Sequence, residues 1–164
     1  MTLAVGDRAP DFTLPSSRGE SVTLSARLGR GPVVLYFYPK DGTTGCTAQA
    51  CSFRDRSEDF ADAGADVLGV SSDGVASHER FVQKHDLPMT LLSDTEGKVR
   101  SLYGVRPTLG FLPGRATFVI DKDGIVRHVF VSQFRFGRHA DEALEVVRRL
   151  RAEAEPAVSQ KHPA

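Results

Sequence analysis

Six consecutive apolar residues, Val33-Val34-Leu35-Tyr36-Phe37-Tyr38, stopped by Pro39, limit this chain more than any other stretch. A β-branched and aromatic run without polar alternation fits a strand buried on both faces. Such a strand needs a covering layer on each side. A chain of 164 residues, 40% of them hydrophobic, can supply both layers within one domain.

The elements around that strand alternate. Phe12 to Leu14 and Ser21 to Leu24, joined by Ser16-Ser17-Arg18-Gly19, read as a small hairpin. Ala50, Phe53, Phe60 and Ala61 recur at helical spacing, which predicts an amphipathic helix from Gly45 to Ala63, ended by Gly64. Asp66 to Val70 is a strand, and Asp73 is placed to cap a helix carrying Val75, Phe81 and Val82. Leu91-Leu92 is a short strand and Glu96 to Tyr103 a short helix. Ala116 to Ile120 and Ile125 to Val131 flank Asp121-Lys122-Asp123-Gly124, a tight turn between antiparallel strands. A last helix spans Ala140 to Arg151. The expected fold is α/β, a mixed central sheet flanked by helices with an N-terminal β-hairpin. Residues 1–151 form a single domain and residues 152–164 a flexible C-terminal tail.

Composition removes several classes of function. Lys and Arg number 21, as do Asp and Glu, so no long-range field draws nucleic acid or anionic lipid. No apolar run approaches the ~20 residues of a membrane span. The start, Met1-Thr-Leu-Ala-Val-Gly-Asp, lacks the basic patch and apolar stretch of a signal peptide. Two cysteines make neither a disulfide framework nor a zinc ribbon. These features predict a cytoplasmic domain with two thiols to explain.

The informative segment is Tyr38-Pro39-Lys40-Asp41-Gly42-Thr43-Thr44-Gly45-Cys46-Thr47-Ala48-Gln49-Ala50-Cys51. It lies where the buried strand ends and a helix begins, a frequent place for a site in open α/β folds. Cys46 falls in the first helical turn, where unpaired N–H groups and the dipole favour a thiolate. Cys51 follows five positions later. On an ideal helix the two Cα atoms are roughly 8.6 Å apart, beyond the ~7 Å limit for a disulfide. A bond between them requires the helix to unwind locally. By position alone, Cys51 reads as a core residue on the helix and Arg115 as a surface arginine before a strand, while Thr43 fits an ordinary helix cap equally well.

Pro39-x-x-x-Thr43-x-x-Cys46 resembles the peroxidatic motif of the peroxiredoxins. The wider Tyr-Pro-Lys-Asp-x-Thr-x-Gly-Cys-Thr-x-x-Ala-Cys string is similar to the Q-type branch, the bacterioferritin-comigratory proteins. The likeness extends over residues 4–150, through Ala9-Pro10-Asp11-Phe12, Leu91-Leu92-Ser93-Asp94, Leu112 to Asp121 and Ser132-Gln133-Phe134. One departure is Thr44, where the family usually has Pro. The resemblance implies a thioredoxin-like fold and an atypical two-cysteine thiol peroxidase without a cofactor or metal. Cys46 is then the peroxidatic residue and Cys51 the resolving one. Arg115 completes the pocket, Thr43 orients the peroxide, and Pro39 shapes the loop. Hydrogen peroxide or an alkyl hydroperoxide is the implied substrate, thioredoxin or a similar dithiol protein the reductant, and a monomer or weak homodimer the assembly.

Thiolate formation alone does not make such a reaction fast. Lowering a thiol pKa from ~8.5 to ~6 raises the thiolate fraction at pH 7 roughly 30-fold. The accompanying loss of nucleophilicity is roughly 13-fold at a Brønsted slope of ~0.45. Most of the acceleration must come from aligning the O–O bond and stabilising the leaving oxygen. Two alternatives use the same thiols. A thiol–disulfide oxidoreductase on this fold calls for Cys-x-x-Cys, and the spacing here is Cys-x-x-x-x-Cys. A redox-regulated chaperone would use the fold without turnover. The five histidines (His78, His85, His128, His139 and His162) form no metal-ligand spacing with either cysteine and read as surface or packing residues. Gly110-Phe111-Leu112 reads as either an apolar wall beside the arginine or a packed loop.

Overall fold

A computed structural model describes residues 3–105 and 114–154 of the chain. The Gly110-Phe111-Leu112 segment and the chain beyond Ala154 lie outside the described residues. The apolar run becomes β3 (Val33–Phe37), buried at every position. It pairs in parallel with β4 (Asp66–Ser71) and antiparallel with β6 (Ala116–Ile120). Strands β5 (Thr90–Ser93) and β7 (Val126–Val131) form the two edges, giving the order β5-β4-β3-β6-β7.

The absence of alternation in β3 is explained by two cores. Val34, Tyr36 and Tyr38 face one cluster, with Phe53, Phe60, Phe81, Ala143 and Val147. Val33, Leu35 and Phe37 face the other, with Phe12, Leu68, Tyr103, Phe118 and Ile120. The first cluster is built by α2 (Thr44–Asp55), α3 (Ser57–Asp62), α4 (Val75–His85) and α6 (Phe136–Ala154). The second lies under the N-terminal hairpin, β1 (Thr13–Pro15) and β2 (Ser21–Thr23), with the short helices α1 (Leu24–Arg27) and α5 (Lys98–Leu102). The hairpin is tied to the sheet at the β5 edge, where the Ser17 N–H donates to the Leu91 carbonyl at 2.8 Å.

The structure departs from the sequence reading at three places. The helix expected over Gly45 to Ala63 is two helices, broken at Arg56 (φ −107°, ψ 13°). The Arg56 side chain stabilises the break. Its Nη1 donates to the Ser52 carbonyl at 3.1 Å and its Nε pairs with Asp141 at 2.7 Å. Asp73 does not cap α4: Gly74 holds that position, and the Asp73 carboxylate accepts from the Asp41 N–H and the Ser71 hydroxyl instead. Helix α6 begins at Phe136, four residues before the expected Ala140. It continues to Ala154, three residues into the segment read as tail. The Asp121–Gly124 turn is as expected: Gly124 takes φ +84° and Asp121 Oδ1 accepts from the N–H groups of Asp123 and Ile125.

Gly69 in β4 shows how closely the first core is fitted. A Cβ there would lie 2.7 Å from Tyr36 Cζ and 2.8 Å from Leu91 Cδ2. The Tyr36 ring cannot retreat, because it stacks on Phe53 with centroids 4.4 Å apart. Gly69→Ala is expected to destabilise the fold by about 1–3 kcal/mol, measured as a lower urea midpoint at unchanged slope.

Candidate active site

The chain leaves β3 at Tyr38 and crosses a short loop in which Gly42 takes φ +79°. It enters α2 with Thr43 at the N-cap and Thr44 as the first helical residue. This is the position where proline's fixed φ suits a helix start, so threonine fits without altering the turn. The first ladder bond runs from the Thr47 N–H to the Thr43 carbonyl at 2.9 Å. The N–H groups of Thr44, Gly45 and Cys46 therefore stand outside the helical ladder.

Cys46 is 2% exposed, and two donors converge on its sulfur. Arg115 Nη2 lies 3.3 Å from Sγ and the Lys40 N–H lies 3.5 Å from it. Arg115 enters from the start of β6 and is itself 4% exposed, so it is not a surface arginine. A guanidinium this buried needs partners for its remaining donors. Nη1 donates to Gln49 Oε1, Nε donates to the Gln133 carbonyl at 3.2 Å, and the Phe136 ring lies 4.9 Å from the guanidinium carbon. The same ring closes over Gly45, where a Cβ would come within 2.6 Å of it. Only glycine lets Phe136, Arg115 and the thiol share this space.

Thr43 is exposed at the pocket mouth, and its hydroxyl donates to the Lys40 carbonyl at 2.9 Å. It makes no side-chain cap bond, which sets aside the ordinary capping role. With its proton committed to Lys40, the oxygen keeps lone pairs for an incoming O–H. Pro39 is half-buried beside Lys40. Cys51 is half-buried on α2, and both cysteines are free thiols. They share one uninterrupted helix, so the ideal-helix separation of roughly 8.6 Å applies to their Cα atoms.

Several contributors escaped the sequence reading. Gln49 is fully buried and carries no signal beyond its place one turn after Cys46. Arg100 donates from Nη1 to the Gly114 carbonyl and from Nη2 to the Tyr38 carbonyl, both at 2.8 Å. It thereby braces the two chain segments that deliver Cys46 and Arg115. Burial pushes its pKa down, against the opposing pull of Asp94. Asp94 was visible in sequence, but its work was not: its carboxylate accepts from the N–H groups of Val99 and Arg100 at the start of α5.

Two of the four histidines among the described residues are fully buried, His78 and His139. No grouping with a cysteine occurs among the described residues. His78 instead comes together with Asp41 and Asp73, their ligand-type atoms within 4.8 Å of one another. His139 props the Arg115 side of the pocket. Its Nε2 faces the Ser132 carbonyl at 2.7 Å, so that nitrogen carries the proton. Nδ1 then accepts from the Thr117 hydroxyl at 2.7 Å. Ser132 adjoins Gln133, whose carbonyl receives Arg115 Nε.

A buried thiol at a helix N-terminus, gripped by an arginine on a thioredoxin-like sheet, defines a thiol-based redox enzyme. Known proteins agree in detail. Residues 5–129 match the AhpC/TSA family. The rice protein "Putative peroxiredoxin Q, chloroplastic" (Oryza sativa subsp. indica) is 51% identical over 146 residues, which are 88% of this chain and 67% of that protein. The crystal structure of peroxidoxin BcpB from Mycobacterium tuberculosis superposes with a TM-score of 0.82 at 43% identity, over 89% of this chain and 97% of that one. The Xanthomonas campestris bacterioferritin comigratory protein, studied for alkyl peroxide reduction, superposes with a TM-score of 0.79 at 31% identity, over 85% and 92%. The chain belongs to the AhpC/TSA family as a Q-type peroxiredoxin, a thiol peroxidase. These relatives also correct one expectation. A cytoplasmic location is overturned by curated relatives that are chloroplastic, such as those of rice and Sedum lineare.

Burial depresses the His139 pKa from 6.5 to about 4, and the nearby Arg115 charge adds to the effect. The unfolded chain thus binds a proton that the folded chain refuses as pH falls below 6.5. Stability present above pH 6.5 is lost progressively down to about pH 4, by about 3 kcal/mol in all. His139→Gln is expected to flatten the difference in urea-denaturation free energy over that window.

Proposed function

We propose that Cys46 is the peroxidatic residue and Cys51 the resolving one, acting within a single domain over residues 1–151. The Cys46 thiolate attacks one oxygen of hydrogen peroxide or an alkyl hydroperoxide. The O–O bond breaks, the sulfur is oxidised to sulfenic acid, and the second oxygen leaves as water or alcohol after taking a proton. Arg115 holds the thiolate and stabilises the charge growing on the leaving oxygen. Thr43 accepts from the peroxide O–H, and Pro39 keeps water from the sulfenic acid. The observation that carries this reading is Arg115 Nη2 at 3.3 Å from a buried Cys46 Sγ.

The Cys51 thiol then condenses with the sulfenic acid, releasing water and forming an intramolecular Cys46–Cys51 disulfide. Because the two share α2, its first turns must open for the bond to form. An exposed disulfide in an opened helix is readily reduced by a dithiol protein of the thioredoxin type. The physiological role is antioxidant defence and redox homeostasis. Action as a monomer or weak homodimer belongs to the same proposal.

The test is a hydroperoxide assay coupled to a thioredoxin system on wild type, Cys46→Ser and Cys51→Ser. Cys46→Ser is expected to be inactive. Cys51→Ser should accept one equivalent of peroxide, hold a sulfenic acid visible by mass spectrometry, and fail to recycle. Full turnover by Cys46→Ser would sink the assignment. An oxidised wild type without an intrachain bond would remove the resolving role of Cys51.

A further inference from the structure

Directly beneath the catalytic loop lies a buried polar cluster that the reaction above does not use. His78 of α4 is fully buried. Its Nε2 faces the Leu92 carbonyl of β5 at 2.9 Å, and a carbonyl only accepts, so Nε2 carries a proton. Its Nδ1 lies 2.6 Å from Asp41 Oδ2. The Asp41 carboxylate also accepts from the Tyr38 hydroxyl at 2.6 Å and the Ser77 hydroxyl at 2.9 Å. Tyr38, Ser77 and His78 thus converge on the one carboxylate.

The Asp41 backbone is held as well. Its N–H donates to Asp73 Oδ2 at 2.8 Å, and the Ser71 hydroxyl donates to the same oxygen at 2.6 Å. Asp41 is thus fixed by Tyr38 just after β3, by the β4–α4 connection and by α4. The residue it fixes next in sequence is Lys40, which supplies the N–H on Cys46 Sγ and the carbonyl that takes the Thr43 proton.

We propose that the hydrogen-bonded Asp41–His78 pair is a positioning device for the peroxidatic thiol, holding Lys40 so that its N–H points at sulfur and its carbonyl orients Thr43. The pair touches neither sulfur nor substrate; it acts through the loop. It also sets a fixed anchor ahead of the helix that opens, so Cys46 returns to the same donors after each cycle. This role rests on Cys46 being the reactive thiol. Its test reads that thiol without peroxide, so it remains interpretable if the peroxidase assignment fails.

In a Cys51→Ser background Cys46 is the only thiol, and its rate of alkylation by iodoacetamide is followed against pH. Asp41→Asn is expected to move the midpoint of that profile upward by about one pH unit, the effect of losing one hydrogen bond to an ionised group. His78→Gln should move it in the same direction. The double variant should go no further than Asp41→Asn alone, because both act through one contact. Tyr38→Phe removes a single donor at constant shape and should give a smaller shift; it decides the matter if Asp41→Asn does not fold. Folded variants that melt at lower temperature with the parent's alkylation profile would reduce the pair to a structural role and overturn the proposal. Shifts that simply add in the double variant would overturn it too.

Discussion

The guanidinium of Arg115 is a full charge enclosed by protein, and much of the architecture around the site exists to make that tolerable. An ion in this setting is stable only if every donor finds an acceptor of good geometry. Gln49, the Gln133 carbonyl, the Phe136 face and the Cys46 sulfur together satisfy it. These groups come from α2, the β7–α6 connection, α6 and α2 again, so the charge pins α2 and α6, which cover the same face, to one another and to the start of β6. The thiol is one member of this set.

The fold was largely legible because its strongest signals are local. The β3 run, the Gly64 stop and the Asp121–Gly124 turn depend on residues adjacent in sequence, and all three appear where expected. What failed to show depends on distant partners. The break at Arg56 is held by Asp141, 85 positions later, and the helical pattern through Phe53 and Phe60 gives no hint of it. Asp73 looked like a cap because capping needs only near neighbours; the partner that takes it elsewhere, Asp41, is 32 residues upstream. Cys46 and Thr43 were singled out through a motif and Arg115 through the wider family resemblance. Position alone gave Arg115 to the surface, where the structure buries it. Gln49 and Arg100 have roles only in three dimensions, and nothing in their spacing marks them.

The site also contains its own instability. Gln49 Nε2 is buried without a hydrogen-bond partner among the described residues, and an unmet amide donor is costly in such surroundings. In the proposed cycle that cost is borne only while α2 is closed, since opening the helix returns the amide to water. The closed pocket and the opened helix of the proposed cycle are brought nearer in free energy by that release. The grip on Arg115 and the ease of letting go reside in the two ends of one side-chain amide.

The interruption between α2 and α3 limits how far such an opening travels. In a continuous helix each broken ladder bond loosens the next, and fraying runs toward whatever end is weaker. Here the ladder stops at Arg56, whose side chain clasps Ser52 and α6. Phe60 lies beyond that clasp, sealed in the core with its ring 5.8 Å from Phe53. The bend works as a firebreak: in the proposed cycle the first turns of α2 rearrange, while Phe53, stacked on Tyr36, and the clasp at Arg56 keep the packing against the sheet in place.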